Sequence, residues 1–66
     1  MEIQINGEKR EVPPALSVTA LLVHLNIRGD RVAIERNLEV LPRQAWEATQ
    51  VGEGDRFEIV HLVGGG

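Results

Sequence analysis

The sequence contains no cysteine, which excludes disulfide bonds, a thiol nucleophile and a thiolate metal site. Its first residues lack the basic start and the apolar stretch of a secretory signal peptide. No apolar run approaches the ~20 residues that a membrane-spanning helix needs. From these absences we expect a cytoplasmic protein that does not enter a membrane.

Positive charge is also scarce, because 7 Lys and Arg residues stand against 10 Asp and Glu residues and the net charge is -3. Such a chain is poorly suited to nucleic acid, where clusters of Lys and Arg supply the affinity for phosphate. The acidic balance is compatible with a basic protein partner.

Motifs for catalysis or metal binding are missing as well. His24 and His61 have no cysteine or carboxylate at a recognised metal-binding spacing, and no phosphate-binding glycine loop is present. A chain of 66 residues forms one domain at most, with a small core and little surplus stability for a buried polar site. We therefore predict no catalytic site, no metal site and no bound cofactor.

The chain begins with a hairpin pattern. Apolar and polar residues alternate over residues 1–5, as in a half-buried strand, and Asn6-Gly7 is a strong signal for a two-residue hairpin turn. Residues 8–12 then form a polar return strand at the edge of the sheet. Pro13-Pro14 ends it, since neither proline can donate a backbone hydrogen bond.

One amphipathic helix follows the hairpin. Ser17 is a candidate N-cap, and Asn26 and Gly29 are stop signals. The apolar residues between them recur at helical spacing: Val18, Leu21, Leu22 and Leu25. A helix this short must be held by packing against a sheet.

The remaining pattern predicts more strands. We expect a strand over residues 31–36, a turn at Asn37, a short strand over residues 38–41, a short helix opened by Pro42, a turn over residues 52–55 and a final strand over residues 56–63. The predicted fold is α+β, with the first and last strands side by side in the middle of a mixed sheet. One face of the sheet lies under the helix and the other is free.

The final strand leads into three glycines, Gly64-Gly65-Gly66. If Phe57 and Ile59 face the core, Val60 and Leu62 lie on the opposite face. Two exposed apolar residues beside a glycine tail suggest a patch that binds a partner, although single surface aliphatics are also normal. A tail without side chains could thread a narrow channel and present its carboxylate to another enzyme. The alternative is a frayed terminus without function.

Specific residues give the chain a resemblance to a known family. The stretch Val32-Ala33-Ile34-Glu35-Arg36-Asn37, with Pro42-Arg43, Trp46, the turn at residues 52–55 and the terminal Gly65-Gly66, resembles the ThiS sulfur carriers of thiamine thiazole biosynthesis. These are ubiquitin-like β-grasp proteins, and the likeness covers essentially the whole chain. It implies a β-grasp domain over residues 1–63 and a flexible glycine tail over residues 64–66, with a structural role for Arg43 and Trp46.

The resemblance also implies a carrier and not an enzyme. A ubiquitin-activating-like adenylyltransferase (ThiF-like) would use ATP and Mg²⁺ to adenylate the Gly66 carboxylate, and sulfur would then replace AMP to give a thiocarboxylate. A thiazole synthase (ThiG-like) would take that sulfur. Val60, Leu62, Gly64 and Gly65 would bind these partners.

Two alternatives stay open from the sequence. The chain could resemble the small subunit of molybdopterin synthase, another sulfur carrier, although those relatives are usually longer. It could also be a β-grasp interaction module without sulfur chemistry.

Overall fold

The computed structural model describes residues 1–63 as one five-stranded sheet with one α-helix. The strands are β1 (Glu2–Ile5), β2 (Glu8–Glu11), β3 (Val32–Arg36), β4 (Glu39–Val40) and β5 (Arg56–His61); the helix is α1 (Val18–His24); two 3-10 turns cover Gly29–Arg31 and Arg43–Ala45. The predicted glycine tail, residues 64–66, lies outside the described residues, so its flexibility and the domain boundary at residue 63 stay predictions.

The strands lie in the order β2-β1-β5-β3-β4. The first and last strands, β1 and β5, are parallel neighbours at the centre, and every other pairing is antiparallel. The predicted mixed sheet is therefore confirmed. β2 has four exposed charged residues, as expected of an edge strand that must not pair with other chains.

The core lies between α1 and one face of the sheet. Phe57 and Ile59 are 1% and 5% exposed, which confirms the predicted phase of β5. The other core residues are contributed by the helix, the neighbouring strands and the connecting loops: Ile3, Ile5, Val12, Val18, Leu21, Leu22, Val32, Ile34, Trp46 and Val51.

Helix α1 starts and ends where the sequence predicts. The Ser17 hydroxyl accepts a hydrogen bond from the Ala20 amide at 3.0 Å, as an N-cap does, and Asn26 turns the chain away with a φ of 61°. A loop that the sequence does not indicate also holds the start of the helix. Val18 N donates to Thr49 O at 2.9 Å and Val51 N donates to Leu16 O at 2.8 Å.

The structure corrects several predicted boundaries. Leu38 belongs to a turn, so the fourth strand covers only Glu39–Val40, and Arg31 ends a 3-10 turn before β3 begins. The return strand β2 ends at residue 11 and not at 12, and β5 ends at residue 61 and not at 63. Pro42, with a ψ of 144°, precedes the 3-10 turn at Arg43–Ala45 and is not its first helical residue. Extended backbone is equally compatible with the fixed φ of proline, which explains the one-residue error.

Candidate functional site

The end of β5 presents apolar side chains to solvent. Val60 is 58% exposed and Leu62 is 52% exposed, as their predicted position opposite Phe57 and Ile59 requires. Leu62 follows the strand, but its amide still donates to Arg31 O at 2.8 Å. Backbone hydrogen bonds therefore hold the chain in place as far as Leu62. A partner-binding role for Val60 and Leu62 remains a prediction.

The sheet face that α1 leaves uncovered, here called the open face, has a mixed character. Along β5, Val60 pairs with Ala33 of β3, and Glu58 pairs with Glu35. Val40 of β4 pairs with Glu35 in turn and is 75% exposed. The open face thus places two carboxylates between apolar residues.

Glu35 and Glu58 lie directly across from each other without a cation. Like charges in this cross-strand position destabilise a sheet. Neither carboxylate takes part in an ion pair within residues 1–63. The nearest basic residue on the strand is Arg56, two positions before Glu58 on the same face.

Two hairpin turns flank β5, and they have the same backbone geometry. Each has two central residues with positive φ: Asn6 and Gly7 at 51° and 83°, and Asn37 and Leu38 at 51° and 72°. This is the type I′ pattern, in which Asn-Gly is the preferred pair. A left-handed conformation costs an ordinary L-residue on the order of 1–2 kcal/mol. Leu38 therefore occupies, at a cost, the position that Gly7 fills freely in the first hairpin.

The Leu38 side chain is not used to fill the core. It is 81% exposed. It borders a shallow depression of about 270 Å³ over the start of β5, lined also by Gln4, Gly7, Arg56, Phe57 and Glu58. Sequence reasoning missed this depression because it placed Leu38 in a strand.

Asn37 and Arg36 lead to a buried carboxylate. Asp55 is 8% exposed and accepts hydrogen bonds from Gly52 N at 2.7 Å, Arg36 Nε at 3.0 Å and Asn37 Nδ2 at 3.2 Å. Burial by itself would raise the pKa of Asp55, but these hydrogen bonds and the charge of Arg36 outweigh it and hold that pKa below its ordinary value. The group joins the β3–β4 turn to the loop before β5, and its role is structural.

Arg43 and Trp46 also have structural partners. Arg43 donates to Gly29 O and Val32 O, and its guanidinium lies 4.7 Å from the centroid of the Trp46 ring. The Trp46 ring is buried, and its Nε1 donates to Leu41 O at 3.0 Å. These contacts agree with the structural role predicted for both residues.

The histidines lie apart at the surface, His24 at the end of α1 and His61 at the end of β5. Within residues 1–63 no group of three or more His, Asp or Glu side chains is placed to hold a metal ion. No helix in this range is long and apolar enough to cross a membrane.

Comparison with known proteins assigns the class and then the family. The fold is that of the ubiquitin-like β-grasp proteins: the crystal structure of a thiamine biosynthesis protein, ThiS, from Geobacter metallireducens superposes with a TM-score of 0.87 at 39% identity, covering 100% of both chains. The ThiS family model matches residues 3–66. The chain belongs to the ThiS family.

Curated relatives that resemble this chain include a sulfur carrier and a much longer enzyme. The sulfur carrier protein ThiS of Bacillus subtilis is 32% identical over 68 residues, covering 97% of this chain and 98% of that protein. A thiazole synthase of Paramagnetospirillum magneticum is 42% identical over 66 residues, covering 100% of this chain. The chain spans only 20% of the length of that synthase.

Proposed function

We propose that this chain is the sulfur carrier of thiamine thiazole formation, with Gly66 as the residue that carries the sulfur. The observation that supports it best is the ThiS family match, which runs through the folded domain into the glycine tail at residues 3–66. Because the chain has no cysteine, it has no thiol that could carry sulfur as a persulfide. A carboxyl end that becomes a thiocarboxylate needs no thiol.

The proposed chemistry takes place on a partner enzyme. A carboxylate is a poor electrophile until one of its oxygens becomes part of a good leaving group. In the first step the Gly66 carboxylate attacks the α-phosphorus of ATP, with Mg²⁺ on the adenylyltransferase, and pyrophosphate leaves. The terminal sulfur of a donor protein's persulfide then displaces AMP to give an acyl disulfide. A second thiol, on the donor or the partner enzyme, attacks the donor's sulfur, so that the thiocarboxylate leaves and the two thiols end as a disulfide. The chain itself acts as a co-substrate and contributes no catalytic group.

Two partners follow from this proposal. The first is the ThiF-like adenylyltransferase that activates Gly66. The second is a thiazole synthase, supported by the Paramagnetospirillum magneticum synthase, which contains a segment 42% identical to this chain within its own sequence. Val60 and Leu62, exposed beside the tail, are the residues we assign to docking, and Gly64 and Gly65 would pass through the channel to the active site.

The decisive experiment is intact-mass measurement after incubation with ATP, Mg²⁺, the adenylyltransferase and a sulfur donor. We expect one oxygen to be replaced by one sulfur, and fragmentation to locate the change on Gly66. If AMP is released without this mass change, or if the sulfur maps elsewhere, the carrier function is wrong and an interaction module without sulfur chemistry takes its place.

Substitution in the tail sharpens this test. Gly65→Ala adds a methyl group where a narrow channel would leave no room, and a misplacement of about 1 Å can cost roughly 10²-fold in rate. We expect loading to slow sharply while the melting temperature stays unchanged. Gly52→Ala is the matched control, since a Cβ there would meet the Asp55 carboxylate at an ordinary distance of 3.6 Å. That control should load like the unsubstituted chain.

A further inference from the structure

The β3–β4 hairpin places a leucine where the fold itself prefers glycine. Its two-residue turn matches that of the β1–β2 hairpin, but Leu38 stands in the position of Gly7, at a φ of 72°. The side chain gains no burial in return, being 81% exposed. Strained residues that the core does not need are characteristic of functional surfaces.

A second unfavourable feature lies next to it. Glu58 lines the same depression as Leu38, and Glu35 lies directly across from Glu58 on the neighbouring strand. Cross-strand repulsion between these carboxylates would be relieved by a cation placed over both of them. Arg56 lines the same depression, two positions before Glu58, but it makes no ion pair within the described residues.

Exposed apolar side chains lie next to the acidic pair. Val40 flanks Glu35 on the edge strand and is 75% exposed. Leu38 and Val40 thus lie around the acidic pair, and the depression of about 270 Å³ beside Leu38 has room for one inserted side chain. We call these four residues, Glu35, Leu38, Val40 and Glu58, the turn surface.

We propose that the turn surface is a docking site for a basic protein surface, in which a Lys or Arg side chain binds Glu35 and Glu58 while an apolar side chain packs against Leu38 and Val40. Charge complementarity selects this occupant, since two unpaired carboxylates repel nucleic acid and anionic lipid. The inference rests on the proposed function, and it assigns the occupant to the thiazole synthase, because a related sequence is joined to that enzyme in one chain.

The turn surface adjoins Val60 and extends away from the tail. A strand rises about 3.3 Å per residue, so Glu58 lies roughly 7 Å from Val60 on the same face of β5 and roughly 13 Å from Leu62. Contact with both the turn surface and Leu62 would spread the synthase over the open face and set the direction in which the tail leaves. Tail-mediated contact alone would not set that direction.

The test is binding of the full chain to thiazole synthase, measured by titration calorimetry at several salt concentrations. Leu38→Gly gives the second hairpin the same Asn-Gly turn as the first and removes strain, so the fold should be at least as stable. We expect the Kd to rise about tenfold or more. Val23→Ala is the matched control, since Val23 is 74% exposed on α1, on the other side of the sheet.

Removing the charge of Glu58 tests whether the partner surface that binds it is basic. Glu58→Gln relieves repulsion with Glu35, so it should not lower stability, yet it should raise the Kd several-fold at low salt. The dependence of Kd on salt should also become weaker. Glu47→Gln, at an exposed acid outside the sheet, should leave both unchanged.

Each outcome decides the proposal. If Leu38→Gly and Glu58→Gln bind the synthase like the unsubstituted chain, the turn surface is not its docking site, while sulfur loading of Gly66 would still support the carrier function. If both variants lose loading by the adenylyltransferase but keep synthase binding, the occupant is wrong. If the unsubstituted chain is neither loaded nor bound, the proposed function and this inference fail together.

Discussion

Asp55 concentrates several long-range contacts in a single residue. Its carboxylate receives hydrogen bonds from Gly52, Arg36 and Asn37, and its backbone oxygen accepts from Gln4 N at 2.9 Å. The sequence suggests only a turn at this position, because an acid after glycine is common in loops. Gly52 lies in the same turn, but Arg36 and Asn37 come from β3 and the turn after it, so only the folded chain brings these two to the carboxylate.

We predict that the ionised Asp55 carboxylate stabilises the fold and that this contribution to the free energy of unfolding is lost in acid. The folded-state pKa lies below the ordinary value of 3.8, so the carboxylate contributes stability fully above that value and loses it as the pH falls through the folded-state pKa. Asp55→Asn should lower the free energy of unfolding at pH 7 by about 1–3 kcal/mol, since it removes a charged acceptor of three hydrogen bonds.

Urea unfolding over a pH series would measure this effect. The difference between the unsubstituted chain and Asp55→Asn should begin to shrink as the pH falls below about 4, where Asp55 becomes protonated in the unfolded chain, and should fall further until the folded-state pKa is passed and both chains carry an uncharged group. A difference that stays constant down to pH 2 would mean that the charge of Asp55 does not stabilise the fold.

At the scale of elements, the two hairpins show how far local sequence determines a turn. Asn6-Gly7 indicates its turn plainly, whereas Asn37-Leu38 adopts the same geometry with an unfavourable residue. Both asparagines are held by β5: Asn6 Oδ1 accepts from Ile59 N at 2.8 Å and Asn37 Oδ1 accepts from Arg56 N at 3.0 Å. Asn37 suits its turn position, and its bond to the central strand supports the second hairpin although Leu38 is unfavourable there.

Helix α1 has only seven residues, so its N-cap should matter. We predict that Ser17→Ala removes the bond to the Ala20 amide and lowers stability by about 1 kcal/mol. For a domain of this size, that corresponds to a drop in melting temperature of roughly 4–8 °C. Ser17→Asp, which can also cap, should restore most of the loss, and Thr19→Ala on the exposed side of α1 should have little effect. Equal stability of Ser17→Ala and the unsubstituted chain would contradict the prediction.

At the scale of the whole molecule, the fold separates its stable part from its contact surface. One sheet face, with Phe57 and Ile59, forms the core, and the open face, with Val60, is free to bind partners. Alternation along a single strand, β5, produces this division. Substitutions on the two faces should therefore have different consequences.

We predict that Val60→Asp and Leu62→Asp leave the fold intact, because both side chains are more than half exposed. Binding to the adenylyltransferase or the thiazole synthase should weaken, since a carboxylate in an apolar contact is costly to desolvate. Circular dichroism and binding assays would separate the two effects, with Ile59→Asp as the control that should unfold. Unfolding of Val60→Asp would show that this residue supports the core after all.

The sequence by itself determined the local and periodic features of this protein. Alternation placed Phe57, Ile59 and Val60 on their faces, helical spacing and Ser17 located α1, and Asn6-Gly7 identified the first hairpin, because each depends on residues close together in the chain. The residues that match the ThiS pattern were enough to identify the β-grasp fold.

Only the tertiary structure decided which distant residues meet. It paired Glu35 with Glu58, buried Asp55 among partners from two elements, joined Arg43 to Gly29 and Val32, and held Leu38 in a turn at the rim of a depression. These contacts depend on the order and register of the strands. Strand order and register follow from packing of the whole sheet against α1, and no short stretch of sequence encodes them.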